Sequence, residues 1–116
     1  MVGQALILGG TGFLGRHVAS AFEKSGWQVA ALGRKDGDLR NPVEVSTLFR
    51  TYSPDVVVHL AASCGGIGAN VRHPWDYWFD NTLMSAHVID QAMHCGVSRL
   101  VLAGTVCSYP QSPPIP

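Results

Sequence analysis

Three glycines spaced as Gly-x-x-Gly-x-x-Gly are the residues here whose type and spacing most directly indicate chemistry: Gly9, Gly12 and Gly15. The first permits a tight turn out of a strand, the second lets a phosphate approach bare backbone, and the third lets a helix pack closely on a sheet. The start of that helix also offers unpaired N–H groups and a positive dipole end to a pyrophosphate. Because an apolar run precedes the glycines and a helical pattern follows them, the sequence predicts nucleotide binding. The alternative is an ordinary glycine-rich turn between a strand and a helix.

The loop after the second predicted strand bears on which dinucleotide binds. NAD enzymes usually carry an acidic residue there for the ribose 2′-hydroxyl, whereas this sequence has Arg34 and Lys35. Two cations favour a 2′-phosphate and hence NADP, although Asp36 follows and a solvated basic loop is the alternative. Asp38 and Leu39 stand where a side chain and a backbone group could meet the adenine, unless Asp38 is simply a turn aspartate.

Small residues follow the third predicted strand. Ala61 and Ala62 could admit the pyrophosphate and ribose, and tight packing is the alternative reading. Residues 64–70, Cys-Gly-Gly-Ile-Gly-Ala-Asn, are predicted to be a loop at the crevice that contacts substrate, or else a flexible connector. Asn81 lies on the next helix, where it could hold a water or a backbone carbonyl, or be an exposed amide.

Two further side chains could carry chemistry after the fourth predicted strand. The hydroxyl of Thr105 could hydrogen-bond a sugar oxygen, and the thiol of Cys107 could exchange a proton with a carbon next to a carbonyl. The alternatives are a local cap for the threonine and a small buried hydrophobe for the cysteine. His59 lies inside an apolar run and is expected to be a satisfied core histidine. The remaining histidines have no ligand spacing with the cysteines, so no metal site is predicted.

Alternating strand and helix patterns must position these residues. Strands are predicted at 4–8, 28–32, 56–60 and 100–103, helices at about 12–26, 42–52 and 75–95, an irregular segment at 61–74 and a proline-rich tail at 109–116. This alternation predicts the α/β class, with a Rossmann-like, doubly wound parallel sheet of about four strands. In the usual doubly wound order the fourth strand lies beside the first, so residues 104–109 are expected next to residues 9–15, with the crevice between them.

Composition restricts the class of protein. A chain of 116 residues with 47% hydrophobic and 14% charged residues fits at most one domain with a well-covered sheet. Its net charge of zero favours neither nucleic acid nor an anionic membrane as a partner. No apolar run approaches the ~20 residues of a membrane span, and no signal peptide is recognised. The odd number of cysteines fits reduced thiols, so a cytoplasmic location is expected.

Several motifs together resemble a known family. Residues 9–15 (Gly-Gly-Thr-Gly-Phe-Leu-Gly), 38–39 (Asp-Leu), 59–62 (His-Leu-Ala-Ala) and Asn81 resemble the extended short-chain dehydrogenase/reductases. Two segments narrow the resemblance to the GDP-L-fucose synthases, also called GDP-4-keto-6-deoxy-mannose epimerase/reductases. These segments are 65–70 (Gly-Gly-Ile-Gly-Ala-Asn) and 104–110 (Gly-Thr-Val-Cys-Ser-Tyr-Pro).

The resemblance implies an activity and a set of site residues. That family uses NADPH, epimerises a GDP-linked 4-keto-6-deoxy sugar at two carbons and then reduces the ketone. Thr105 matches the serine or threonine of its catalytic triad, and Cys107 matches the cysteine implicated in epimerisation. Gly66, Ile67 and Asn70 are expected at the substrate, and a homodimer is expected for a full-length relative. The implied cofactor-binding residues are Gly9, Gly12, Phe13, Leu14, Gly15, Arg34, Asp38, Leu39, Leu60, Ala61 and Ala62.

One departure from the family pattern is large. The family's Tyr-x-x-x-Lys is missing, since Tyr52, Tyr77 and Tyr109 have no lysine four residues later. Residues 1–116 are therefore expected to be a partial NAD(P)-binding Rossmann domain without the C-terminal substrate domain, and to be inactive alone. Two alternatives stay open: a non-catalytic NAD(P)-binding module, and another extended nucleotide-sugar epimerase or dehydratase.

Overall fold

The computed structural model describes residues 2–115. Within this range the strands are β1 (Gln4–Leu8), β2 (Gln28–Leu32), β3 (Val56–His59) and β4 (Arg99–Leu102). The α-helices of the same range are α1 (Phe13–Lys24), α2 (Pro42–Tyr52), α3 (Ile67–Arg72) and α4 (Pro74–His94), and a 3-10 turn spans Val106–Ser108. The bounds predicted for β1 and β2 are confirmed, and those predicted for β3 and β4 differ from the structure by one residue.

The four strands form one parallel sheet in the order β2-β1-β3-β4. The register pairs Leu8 of β1 with Leu32 on one side and with His59 on the other, and His59 with Leu102 of β4. The carboxyl ends of all four strands therefore meet at one edge of the sheet. The predicted doubly wound, parallel α/β class is confirmed.

The position of the fourth strand differs from the prediction. β4 pairs with β3, so β3 separates it from β1, and residues 104–109 do not lie beside residues 9–15. The physical reason is that β3, a run of buried residues, pairs with β1 and occupies the place beside it that was expected for the fourth strand. The chain consequently crosses to the other side of β1 with its third strand, and the strand order reverses between β1 and β3. Two strand spacings, about 10 Å, separate β1 from β4.

Apolar side chains cover both faces of the sheet. Alternate residues of β1 point to opposite sides, with Leu6 and Leu8 in one cluster and Ala5 and Ile7 in the other. The first cluster packs against α2 and α4, and the second against α1. The central strands are buried on both sides, as a parallel sheet requires.

Local signals explain most helix ends. The side chain of Asn41 accepts the N–H of Val43 at 3.0 Å, and Pro42 begins α2, as the sequence predicted. Gly26 and Gly96 follow α1 and α4 with positive φ, +84° and +67°, which matches their predicted role in ending these helices. The prediction that 61–74 is irregular throughout is wrong, because α3 lies within it. Its apolar residues Ile67 and Val71 are exposed, so α3 has no buried face that the sequence could have revealed.

Candidate functional site

Glycines build the bend after β1, and a larger residue in their place would displace neighbouring backbone atoms. Gly9 has φ +80°, and a Cβ there would lie 2.7 Å from the backbone nitrogen of Ala61. A Cβ on Gly15 would collide with the carbonyl oxygen of Gly9 and lie 2.6 Å from the Cα of Gly10. The turning role predicted for Gly9 and the close packing predicted for Gly15 are therefore confirmed.

The start of α1 is open above this bend. Gly12 is the N-cap, no side chain caps the helix, and no acidic residue lies in its first turn. A Cβ on Gly12 would meet only the carbonyl oxygen of Gly9, at 3.3 Å. Phe13 and Leu14 follow on the exposed surface. The first N–H groups of α1 are thus accessible to an anion, and the helix dipole favours negative charge there.

A cavity of about 370 Å³ lies beside the bend, at the carboxyl ends of β1, β2 and β3. Its size and its mixed lining are typical of small-molecule sites, which pair apolar walls with a few polar groups. The strand order reverses at this point, which is where doubly wound sheets bind ligands. The lining residues are Leu8, Gly9, Leu32, Gly33, Arg34, Gly37, Asp38, Leu39, Arg40, Leu48, Ala61, Ala62, Ser63, Asp80 and Met84.

The structure brings together part of the predicted cofactor set. The members that line the cavity are Gly9, Arg34, Asp38, Leu39, Ala61 and Ala62. The members beside it form the bend and the first turn of α1, namely Gly12, Phe13, Leu14 and Gly15. Leu60 packs against the apolar cluster under α1. The reversal between β1 and β3 explains why Ala61 and Gly9 are in direct contact.

Arg40 forms the central charged contact of the cavity wall, and no motif in the sequence indicates it. Its Nε and Nη2 atoms donate to the two carboxylate oxygens of Asp38 at 3.0 and 2.9 Å. Its Nη1 atom donates to Asp80 at 3.3 Å. The hydrogen bond from Arg40 holds the pKa of Asp38 below its usual value. The two-residue spacing to Asp38 was visible in the sequence, but the contact with Asp80 crosses from a loop to α4.

The backbone at 38–39 is fixed from two sides. The N–H of Asp38 donates to a carboxylate oxygen of Glu44 at 2.7 Å, and His87 of α4 donates from Nδ1 to the carbonyl of Leu39 at 3.0 Å. The side chain of Leu39 is buried in the core. Helices α2 and α4 therefore hold in place the loop that the sequence assigned to the adenine.

The opposite wall is held by Asn81. Its Oδ1 accepts the N–H of Ser63 at 2.7 Å, and its Nδ2 donates to the carbonyl of Ser63 at 2.8 Å. Of the two roles considered for Asn81, the contact with a backbone carbonyl is confirmed and the freely exposed amide is not. Ser63 itself lines the cavity.

The segment expected at the substrate lies outside the cavity. Gly66 and Ile67 begin α3, and the Asn70 amide donates to the carbonyl oxygens of Gly65 and Gly66 at 2.9 and 3.0 Å. Asn70 therefore closes its own loop, and Ile67 is 87% exposed.

Thr105 and Cys107 also lie outside the cavity, beyond β4. The hydroxyl of Thr105 accepts the N–H of Cys107 at 3.1 Å, so it acts as the local cap considered in the sequence analysis. Cys107 is exposed, which excludes the buried small hydrophobe as its description.

His59 is buried at the end of β3, as expected for a core histidine, but only one ring nitrogen has a partner. Its Nε2 lies 3.4 Å from the hydroxyl of Ser85, whereas Nδ1 has no hydrogen-bond partner within residues 2–115. Burial lowers the pKa of His59. Elsewhere in the described chain, no three His, Cys, Asp or Glu side chains are grouped so that they could hold a metal ion. No helix among residues 2–115 combines the length and apolar character needed to cross a membrane.

Comparisons with known proteins agree with this geometry. The family described as NAD dependent epimerase/dehydratase matches residues 5–116. The GDP-L-fucose synthase of Azorhizobium caulinodans is 38% identical over 107 residues, which cover 92% of this chain and 34% of that protein. The UDP-glucose 4-epimerase of Halalkalibacterium halodurans is 26% identical over 125 residues, covering 96% of this chain and 37% of that protein.

Solved structures show the same fold. The GDP-L-fucose synthetase of Naegleria fowleri bound to NADP superposes with a TM-score of 0.84 at 31% identity, over 97% of this chain and 37% of that one. The UDP-glucose 4-epimerase of Thermus thermophilus in complex with NAD gives a TM-score of 0.80 at 27% identity, over 88% of this chain and 37% of that one. The chain thus spans about a third of the length of the relatives that it matches.

Proposed function

The chain belongs to the NAD dependent epimerase/dehydratase family, and we propose that it binds NADP(H) as the cofactor-binding part of an enzyme similar to GDP-L-fucose synthase. The observation that carries this proposal is the cavity at the strand-order reversal, which adjoins the glycine bend and contains Arg34 and Asp38. Dinucleotides bind at this place in doubly wound folds because bare backbone and a helix start meet there.

The residues present fit a dinucleotide. The open N–H groups at the start of α1 would bind the pyrophosphate, and Ala61 and Ala62 leave room for it beside the bend. Asp38 and Leu39 would meet the adenine, and Arg34 would bind the 2′-phosphate. Support for NADP comes from this arginine, since a guanidinium matches phosphate geometry, and from the relative that is described as bound to NADP.

The catalytic residues are proposed from the resemblance. NADPH, when bound, supplies a hydride to a ketone. Because a dinucleotide extends across the crevice, adenine on the β2 side leaves the nicotinamide half toward β3 and β4. Thr105 follows β4, and its hydroxyl would donate a hydrogen bond to the substrate carbonyl. Cys107 would exchange the proton in the epimerisation, which its exposure permits.

The proposed substrate is a GDP-linked 4-keto-6-deoxy sugar. Sequence similarity to GDP-L-fucose synthases supports it. By the resemblance, Gly66, Ile67 and Asn70 would lie at this substrate. A second candidate is a non-catalytic NADP-binding module. Within residues 1–116, none of the three tyrosines precedes a lysine by four positions. We therefore expect no oxidation of NADPH when this chain alone is mixed with the keto-sugar, and steady turnover would contradict that expectation.

Calorimetric titration tests the cofactor assignment. The chain is titrated with NADPH and with NADH, beside the variants Arg34→Ser and Arg50→Ser. Arg50 is the matched control, since it is an exposed arginine in the last turn of α2 and does not line the cavity. We expect the unsubstituted chain and the control to prefer NADPH. Arg34→Ser should reduce that preference about tenfold or more, as expected for the loss of a hydrogen bond from a charged group. Failure of the unsubstituted chain to bind either dinucleotide would overturn the proposal.

A further inference from the structure

We propose that Arg40 is a positioning residue for the adenine end of the cofactor, which fixes the Asp38 carboxylate at the cavity wall and ties the loop after β2 to helix α4. The inference rests on the proposed function, in which Asp38 meets the adenine. It adds a residue that neither the resemblance nor the spacing of the sequence assigned.

The hydrogen bonds of Asp38 leave room for one more donor. A carboxylate has about four acceptor positions. The backbone N–H and the Nε of Arg40 occupy two positions on Oδ1, at 2.9 and 3.0 Å. The Nη2 atom of Arg40 occupies one on Oδ2 at 2.9 Å. One position on Oδ2 remains, which suits the exocyclic amino group of adenine, a hydrogen-bond donor.

Helix α4 holds both walls of the cavity with two consecutive residues. Asp80 accepts a hydrogen bond from Arg40 on the β2 side, and Asn81 holds the backbone of Ser63 on the β3 side. The Asp80 side chain is 24% exposed and that of Arg40 is 50% exposed, so the contact lies at the rim of the cavity, where solvent reaches the arginine. Arg40 therefore fixes the position of the cavity wall on the β2 side relative to the wall on the β3 side.

The charge of Arg40 is already balanced. Its guanidinium is paired with two carboxylates, those of Asp38 and Asp80, and both raise its own pKa further. An arginine held in this way does not add a free positive charge for a 2′-phosphate. Loss of Arg40 should therefore weaken the binding of NADPH and NADH equally, whereas loss of Arg34 should affect NADPH alone.

The same contacts predict a pH dependence. The charged and titratable groups around the 38–39 turn are Arg40, Arg34, Glu44, Asp80 and His87. Of these, Arg40 lowers the pKa of Asp38 most and Arg34 contributes less. Without Arg40, Asp38 should take up a proton at a higher pH. A protonated carboxyl is a poorer acceptor for the adenine amine, so dinucleotide affinity should fall earlier on acidification.

The test is calorimetric titration of the 116-residue chain with NADPH and with NADH at pH 7, and with the acid-stable NADP⁺ and NAD⁺ from pH 7 down to about pH 3.5, a range that includes the usual pKa of an aspartate. The variants are Arg40→Gln and, as the matched control, Arg50→Gln, with circular dichroism at each pH to follow folding. Arg40→Gln should weaken both dinucleotides by about tenfold and by the same factor. Relative to the control, this loss should grow as the pH falls. If Arg40 only stabilised the fold, the loss of dinucleotide affinity in Arg40→Gln would not depend on the protonation of Asp38.

Three outcomes would overturn the inference. They are unchanged affinity in Arg40→Gln, a loss confined to NADPH, and a loss that is the same at every pH. If Arg40→Gln does not fold, Arg40→Lys replaces it in the test. Lysine keeps the positive charge but lacks the guanidinium that contacts both carboxylate oxygens of Asp38. This variant should weaken both dinucleotides equally with the pH profile of the unsubstituted chain, and a loss confined to NADPH would again contradict the inference. If the unsubstituted chain binds neither dinucleotide, the proposed function fails, and the inference fails with it.

Discussion

Asn81 binds the backbone of Ser63 through both ends of its side-chain amide, with one hydrogen bond of 2.7 Å and one of 2.8 Å. These two bonds connect α4 to the loop after β3 at the cavity wall. Replacing Asn81 with alanine leaves a partly buried N–H and C=O without their partners. We expect the free energy of unfolding in urea to fall by about 1–3 kcal/mol.

The matched control for this change is Thr82→Ala. Thr82 is the exposed neighbour on the same helix, and its replacement also raises helix propensity. Its unfolding free energy should stay within about 0.5 kcal/mol of the unsubstituted chain. Equal stability of the two variants would mean that the amide contact contributes nothing.

Gly15 allows α1 to pack on the bend, because a Cβ there would collide with the carbonyl oxygen of Gly9. The variant Gly15→Ala should therefore lower the free energy of unfolding by about 1–3 kcal/mol, as overpacking typically does. Gly104→Ala is the control, since a Cβ at Gly104 has no atom within 4 Å. Thermal unfolding of both variants gives the comparison, and a Gly15→Ala protein as stable as the control would contradict the packing.

His59 should make stability depend on pH. Burial lowers its pKa in the folded chain, whereas the unfolded chain titrates near the usual 6.5. Below that pH the unfolded state binds more protons than the folded state, so stability should fall as the pH drops from 7 toward 5. Urea unfolding of His59→Leu should show a weaker pH dependence over this window. His94→Gln, which removes an exposed histidine, should keep the dependence of the unsubstituted chain, and identical slopes in the two variants would exclude His59 as its source.

Local patterns predicted the elements of this fold well. The apolar runs gave β1 and β2 with their observed bounds, and Asn41-Pro42 and Gly96 marked helix ends because capping is decided by adjacent residues. The position of β4 could not be predicted in this way. It depends on which strand β3 pairs with, and β3 pairs with β1, about fifty residues earlier in the chain, so no local pattern reveals it.

The same distinction between local patterns and contacts distant in sequence applies to the residues of the candidate site. The glycine bend, Arg34, Asp38 and Ala61 could be proposed from the sequence because each lies in a segment that follows a predicted strand, and the cavity is lined by Gly9, Arg34, Asp38 and Ala61. Arg40 was not predicted because its contact with Asp80, forty residues later, exists only in the folded chain. The assignments of Thr105 and Cys107 rest on the resemblance and remain predictions.

The most direct test of the central claim is an amide NMR titration of the chain with NADPH. We expect saturable binding, with the largest shifts at the glycine bend and the cavity walls, including Gly9, Gly12, Asp38 and Ala61. Residues on the far side of α2, such as Arg50, should not shift. Absence of saturable binding, or shifts centred away from the bend between β1 and β3, would contradict it.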